Sequence, residues 1–399
     1  MKKLLRFFLR FIALFFFVLV VVLISFYLMA PVYEFSGPKP FQGEKLYNPY
    51  EEMDADQWKL YNFQVQSKAW GGLTNGRKNS NELIDSIYHA LGFDYVATSD
   101  YQKINTHGKE KSNYIPTYEH GYNIFRTHQV CIGADEVLWS DFIFFQTLSM
   151  KQWIIDLLNE HSKIVVLAHP LLNNGYTLDN LKYLTNYGMM EVLGYVFLSI
   201  EHWDVALSSG QPAWIMGNDD AHDVLSPTEV GRKFTLINSK STDADEIIAS
   251  LKAGNNYAVD YYSSTDVTFT EKIAHLEKLP YLKSAELIGD TFAVSFSRMA
   301  RQIRFIGENG VVKKMVSKAK SASYIIQSDD PYIRAEVSFA YTYTFFLNPV
   351  VRYEGDFPES KKTATIDASA TLRLRIIYFL IILSLVFFYT KWKQRKTAK

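Results

Sequence analysis

The chain has 399 residues, with 42 Lys and Arg against 42 Asp and Glu, so its formal charge is zero. That balance leaves no electrostatic footprint for nucleic acid, and no nucleic-acid partner is expected. The single cysteine, Cys131, excludes an intrachain disulfide and a cysteine-built zinc cluster.

Phe11 to Ala30 is a continuous apolar run interrupted only by Ser25 and Tyr27. At 1.5 Å per residue it spans roughly 30 Å, the hydrocarbon thickness of a bilayer. Lys2, Lys3, Arg6 and Arg10 precede it. A cleaved signal peptide is the rival reading, but the run is long for one and Pro31 follows the only small-residue candidate. Residues 31–58 are rich in Pro, Gly and acidic residues and read as a linker.

Short strands and helices then alternate. Asn62 to Ser67 alternates like a strand. Asn79 and Glu82 are spaced as a capping box for a helix that stops at Gly92. Strands are expected at Tyr95–Thr98 and Tyr114–Tyr118. A helix from Met150 to about Glu160 leads into Ile164–Ala168, a β-branched apolar run stopped by Pro170. Thr177–Tyr187 reads as a helix closed by Gly188. Glu191–Leu193, Trp214–Met216 and Phe234–Ile237 read as strands, and Asp243–Ala253 as a capped helix. Such alternation implies a parallel sheet or barrel. From about Asp266 the pattern changes: Phe292–Phe296, Gln302–Ile306, Tyr324–Ile326 and Tyr332–Phe339 read as a small antiparallel β domain. Leu374 to Thr390 is again apolar, apart from Arg375, Ser384 and two tyrosines, and basic residues from Lys391 onward follow it. A C-terminal core or surface helix is the rival reading there. Basic flanks at both termini put both in the cytoplasm and residues 31–372 across the membrane. Neither apolar segment carries Asp, Glu or His, so nothing marks an ion path.

Polar groups collect at the strand ends. Glu119 and His128 follow the Tyr114 strand, His169 ends the Ile164 strand, and Asp220 and His222 follow the Trp214 strand. Carboxylate plus imidazole is a ligand set for zinc, manganese or iron, and such an ion makes a nucleophile of water at neutral pH.

This arrangement resembles the polymerase and histidinol phosphatase (PHP) superfamily. The resemblance rests on Leu167-Ala-His-Pro170, Asn218-Asp-Asp-Ala-His222, and Pro116-Thr-Tyr-Glu119 followed by Thr127-His128. It covers roughly residues 60–260. It implies a distorted (βα)7 barrel and metal-dependent phosphoester hydrolysis. Gln64 and Gln66 stand where the family has the His-x-His pair, and Tyr101 stands at its next histidine. The first loop, Lys68 to Gly76, has no histidine. Amides and a phenol are poor ligands. The resemblance therefore leaves one complete set, Glu119, His128 and His169, for one divalent metal (Zn, Mn or Fe). Asp220 and His222 remain as catalytic candidates, a base or outer support. Without metal, the three residues would be a hydrogen-bonded core. Lys68, Arg77 and Lys78 are candidates to replace the missing positive charge, against a plain solvated loop. Glu191 could point at the same pocket. His120 should face away from Glu119, because neighbours on a strand alternate. Glu201-His202-Trp-Asp204 reads as a surface face or cap.

The expected layout is a cytoplasmic N-terminus (1–10), a transmembrane helix (11–30), a linker (31–58) and a PHP-like barrel (59–262). A small β domain (263–352), a second linker (353–372), a second transmembrane helix (373–390) and a basic cytoplasmic tail (391–399) follow. The expected setting is a bacterial inner membrane, with the main domain periplasmic or extracellular. The broken ligand motifs favour a pseudoenzyme of the cell envelope that binds or scaffolds other envelope proteins. The alternative is a one-metal phosphoesterase acting on an envelope or extracellular phosphoester.

Overall fold

The computed structural model describes residues 2–74, 76, 78–195, 197–261, 267–339 and 343–397. The expected boundary at 262–263 and the candidate Arg77 lie outside these residues.

Two sheets build the body. One has six strands. Its main path is ordered Trp214–Asn218, Met189–Gly194, Ile164–Leu167, Gln129–Ile132 and Thr117–His120. The other has 11 strands. It runs from Leu282–Ile288 through Thr291–Ile306, Tyr332–Ser338, Tyr343–Leu347, Asn256–Tyr261, Lys233–Asn238 and Trp58–Val65 to Tyr95–Thr98. The described strands form two open sheets and do not by themselves show the expected distorted (βα)7 barrel. Thr117–His120 and Gln129–Ile132 pair antiparallel, because the short segment between them cannot hold the crossover that a parallel pair requires. Asn256–Tyr261 pairs antiparallel with both Lys233–Asn238 and Tyr343–Leu347. The sheet that carries Trp58–Val65 thus continues into the C-terminal strands. Two isolated parallel bridges, Val65 to Ala221 and Tyr101 to Glu119, tie the edges of the two sheets together.

Local signals act mostly as their chemistry dictates. The Ile164–Leu167 strand is fully buried and the chain turns after it at Pro170. The first helix of the body is Asn81–Ala90, capped by Ser80, whose hydroxyl accepts from Leu83 N at 3.2 Å. Asn79 is not the cap. Its amide donates to Gln66 O and His222 O and accepts from Val224 N, joining two loops beside the strand ends. The Thr177-capped helix ends early, at Tyr183. There the Lys362 ammonium donates to Leu181 O and Leu184 O, satisfying carbonyls at the negative end of the helix. The expected strands Phe292–Phe296 and Gln302–Ile306 are one strand, Thr291–Ile306, with its register broken between Ser295 and Ala300.

The Glu201–Asp204 stretch is not a surface face. His202, Trp203 and Asp204 are buried. The Asp204 carboxylate accepts both arms of buried Arg334 at 2.8 Å, and that guanidinium lies over the Trp203 ring. The apolar side of the Ile200–Ser208 helix packs inward, and Asp204 goes in with it because a bidentate partner waits there.

Two helices, Lys2–Met29 and Ala368–Thr397, contain stretches long and apolar enough to cross a membrane. Their ends are clasped together. Tyr33–Phe35 pairs antiparallel with Ala364–Ile366, Asp367 N donates to Val32 O, and the Arg375 guanidinium donates to Met29 O at 3.1 Å.

Candidate functional site

Three strand ends converge on one buried group. Glu119 lies inside the Thr117–His120 strand rather than after it, since Pro116 cannot donate to a ladder and the pairing begins one residue later. His128 directly precedes the partner strand, and His169 follows Ile164–Leu167. The donor atoms of Glu119, His128 and His169 all lie within 4.8 Å of one another. His128 Nδ1 sits 2.6 Å from Glu119 Oε1, and His169 Nε2 sits 3.3 Å from the same oxygen. The other carboxylate oxygen accepts from the Gln66 amide at 2.6 Å. Gly121 makes room for this geometry: with φ of 125° it stands where a Cβ would meet His128 Cδ2 at 2.6 Å.

The electrostatics follow from burial and proximity. Burial pushes the Glu119 carboxyl up, but the charges and hydrogen bonds of His128 and His169 outweigh it and hold it well below the usual range. Burial lowers His128 and outweighs the pull of Glu119. Burial lowers His169 too, yet Glu119, Asp220 and Glu191 together carry it up to about 9. Asp220 is raised to about 6 by burial and by the Glu119 charge. Burial pushes Glu191 well above the carboxylate range, and Tyr101 far above the usual phenol value. Glu191 thus belongs to the same electrostatic group. Its Oε2 accepts from Asn218 at 3.4 Å.

The polar groups gathered at the strand ends are unusually short of partners. Both amide atoms of Gln64, Gln66 Oε1, His169 Nδ1, Glu191 Oε1, Asp220 Oδ1 and His222 Nε2 are buried without a hydrogen-bond partner in the protein. Native interiors rarely leave such atoms orphaned without a bound ion, water or ligand. His169 and Asp220 also hold φ of 29° and 48°. Non-glycine residues with positive φ are uncommon, and backbone strain of this kind clusters at working sites. The carboxylate and imidazole donors and their burial fit a divalent metal on Glu119, His128 and His169.

The remaining candidates separate cleanly. His222 Nδ1 donates to Asp220 O at 2.8 Å, which leaves Nε2 with its lone pair. Asp219 is structural: it accepts from the backbone of Gly231, Arg232 and Lys233, from Tyr88 and from Asn62. His120 faces the opposite way, bonded to Gln129 and Ser140 O. Lys68 is exposed, and Lys78 pairs with Asp223 at 2.8 Å. Neither lines the cavity beside the site, which has a volume of about 600 Å³ and is walled by Trp70, Tyr101, Tyr122, Arg126, His128 and Trp139. Among the described residues, the cation lining it is Arg126, close enough for its charge to act on Tyr101 and Asp220. Spacing did not single it out, because a lone arginine in a loop has no motif.

No family model and no curated protein matches this chain. Among solved structures, one similar chain is a two-domain protein containing a predicted PHP-like metal-dependent phosphoesterase from Bacteroides vulgatus. It is 10% identical, with a TM-score of 0.37, and the match covers 81% of this chain and 100% of that one.

Proposed function

We propose that this chain is a membrane-anchored phosphoesterase of PHP-like architecture with one working metal position. The observation that carries the reading is the convergence of Glu119, His128 and His169 in a fully buried cluster. The motif order and the two bridges between the sheet edges support a distorted, incompletely laddered PHP barrel. The apolar helices and their basic flanks support an anchor with both termini cytoplasmic and the body on the far side of the inner membrane.

When bound, a divalent ion polarises a phosphoryl oxygen and acidifies water. The chain's own groups do the rest. Gln66 orients Glu119 through its amide. Arg126 binds a phosphoryl oxygen at the mouth, where its planar fork suits phosphate geometry. Tyr101, kept neutral by burial, donates a hydrogen bond. His222, with Nδ1 held by the Asp220 carbonyl, presents Nε2 to accept or return a proton, and Asp220 flanks it.

A second reading keeps the metal and drops the turnover: a binding or scaffolding pseudoenzyme of the envelope. The neutral Gln64, Gln66 and Tyr101 favour it. Purified full chain, supplied with manganese or zinc and the soluble diester bis(p-nitrophenyl) phosphate, separates the two. Metal-dependent hydrolysis that disappears in His169→Ala supports the phosphoesterase. A metal-loaded but inert protein supports the pseudoenzyme.

A further inference from the structure

The cavity beside the metal cluster is tied to the end of the first apolar helix. Tyr27, near the end of that helix, has its hydroxyl bonded by the backbone N–H groups of Phe144 and Phe145 at 2.9 and 3.1 Å. Its ring packs on Phe142 and Phe145. Tyr27 is three residues short of Ala30, so this loop meets the helix roughly 4–5 Å below the end of the apolar run. Arg375, reaching from the second helix to Met29 O, sits at a matching level. With that run across a bilayer, the 142–145 loop falls at the depth of the interface.

The wall of the cavity is continuous with that loop. Buried Asp141 accepts from the backbone N–H groups of Tyr122 and Phe142, from the Asn123 amide and from Gln146. Ile124 N donates to Ile143 O at 3.0 Å. The Asn123–Thr127 loop, which presents Arg126 to the cavity, is thereby fastened to the loop that touches the helix. Four large apolar side chains on these two loops stay exposed: Ile124 at 60%, Phe125 at 46%, Phe144 at 55% and Phe145 at 52%. Exposed apolar groups joined to the end of a membrane helix match an interfacial surface, which sinks into the headgroup layer. Arg126 follows Ile124 and Phe125 directly, so the cation stands where headgroup phosphates lie. Trp70 and Trp139, at the cavity mouth, have the amphipathic rings suited to that zone.

We infer that the cavity opens onto the membrane that anchors the chain, with Ile124, Phe125, Phe144 and Phe145 seated in its headgroup layer, and that the phosphoester it takes is the headgroup phosphate of a lipid in that membrane. The inference rests on the phosphoester reading and names its substrate class. A water-borne phosphoester would need none of the apolar seating.

Two readouts on the full chain in nanodiscs test it, and neither needs metal or turnover. A nitroxide is placed on Phe144→Cys or, as a control, on Ile288→Cys at an exposed turn of the C-terminal strands; Cys131 is buried and stays unlabelled. The probe at 144 should be reached by oxygen and shielded from a water-soluble nickel reagent, with the reverse at 288. Equal exposure of both to the nickel reagent overturns the proposal. Second, phosphatidylglycerol with a photoreactive headgroup should label the mouth residues Trp70, Tyr122 or Trp139. Excess phosphatidylglycerol should suppress that labelling and glycerol phosphate should not. Arg126→Glu should reduce it by about fivefold or more, the worth of one cation near an anionic surface. Phe144→Ser with Phe145→Ser should reduce it as well; if that variant fails to fold, Ile124→Ser with Phe125→Ser tests the neighbouring loop. Adducts confined to the two helices, or competition by glycerol phosphate as effective as that by lipid, overturn it. Metal-dependent hydrolysis of the soluble diester alongside a water-exposed probe at 144 overturns the lipid substrate and leaves the phosphoesterase standing. An inserted, lipid-labelled mouth on a chain that binds no metal upholds the membrane seating and sinks the metal-centre reading.

Discussion

The polar residues at the strand ends fall into two halves built on different principles. On one side Glu119, His128 and His169 are buried and bonded to one another, so the carboxylate charge has partners. On the other side Gln64 and Gln66 are also buried and Tyr101 is half-buried at the cavity wall, none of them charged, and the Gln64 side-chain amide has no hydrogen-bond partner. The charged half is self-balancing: Glu119 stays ionised and a proton on His169 answers it. A metal there would take over the role of that proton. The neutral half offers no comparable charge, so the single ion proposed here falls to the charged half. This is also why the apo chain can hold a carboxylate in its interior without the large penalty of an unpaired buried charge.

Substitutions sharpen or break this contrast. The largest effect should come from Glu119→Gln, which removes the only anionic ligand of the cluster; bound metal should fall to background in elemental analysis. Gln66→Ala removes the amide that orients Glu119, and metal affinity measured by competition with a chelating dye should drop about 10–100-fold, as for other supporting contacts to metal ligands. Gly121→Ala drives a methyl into the His128 ring and strains the backbone. It should lower stability by about 1–3 kcal/mol in thermal melts and weaken metal binding with it. Gln64→Met should matter least. It should change metal affinity by less than about threefold and leave stability level or up by about 1 kcal/mol, because it deletes an amide with no partner. A large loss of metal in Gln64→Met would erase the distinction between the two halves. Stripping the metal from the wild type should not unfold it. Re-adding metal at about 100 times its dissociation constant should stabilise the chain by about 2.7 kcal/mol.

What the sequence made legible were the features that depend on near neighbours. Pro170 ends a strand wherever it stands, so His169 could be placed at a strand end. The Ser80, Thr177 and Asp243 caps sit within a residue of where the helices were expected to begin. The apolar runs declared themselves by length. Features decided at long range were not legible. Nothing local says that Asn256–Tyr261 pairs antiparallel with Tyr343–Leu347 across more than 80 residues. Asp204 looks like a surface residue until Arg334, 130 positions away, supplies its partner. Arg126 becomes notable only because Asp141 pins its loop beside Tyr101 and His128. The sequence places Glu119 and His128 after a strand, because the hairpin between them reveals itself only through pairing.

The most direct measurement is the metal content of purified full chain after equilibration with manganese or zinc and removal of the free ion. One ion per chain is expected in the wild type and in Gln64→Met, and none in Glu119→Gln. A wild-type chain that retains no metal, or a Glu119→Gln chain that retains as much as the wild type, would contradict it.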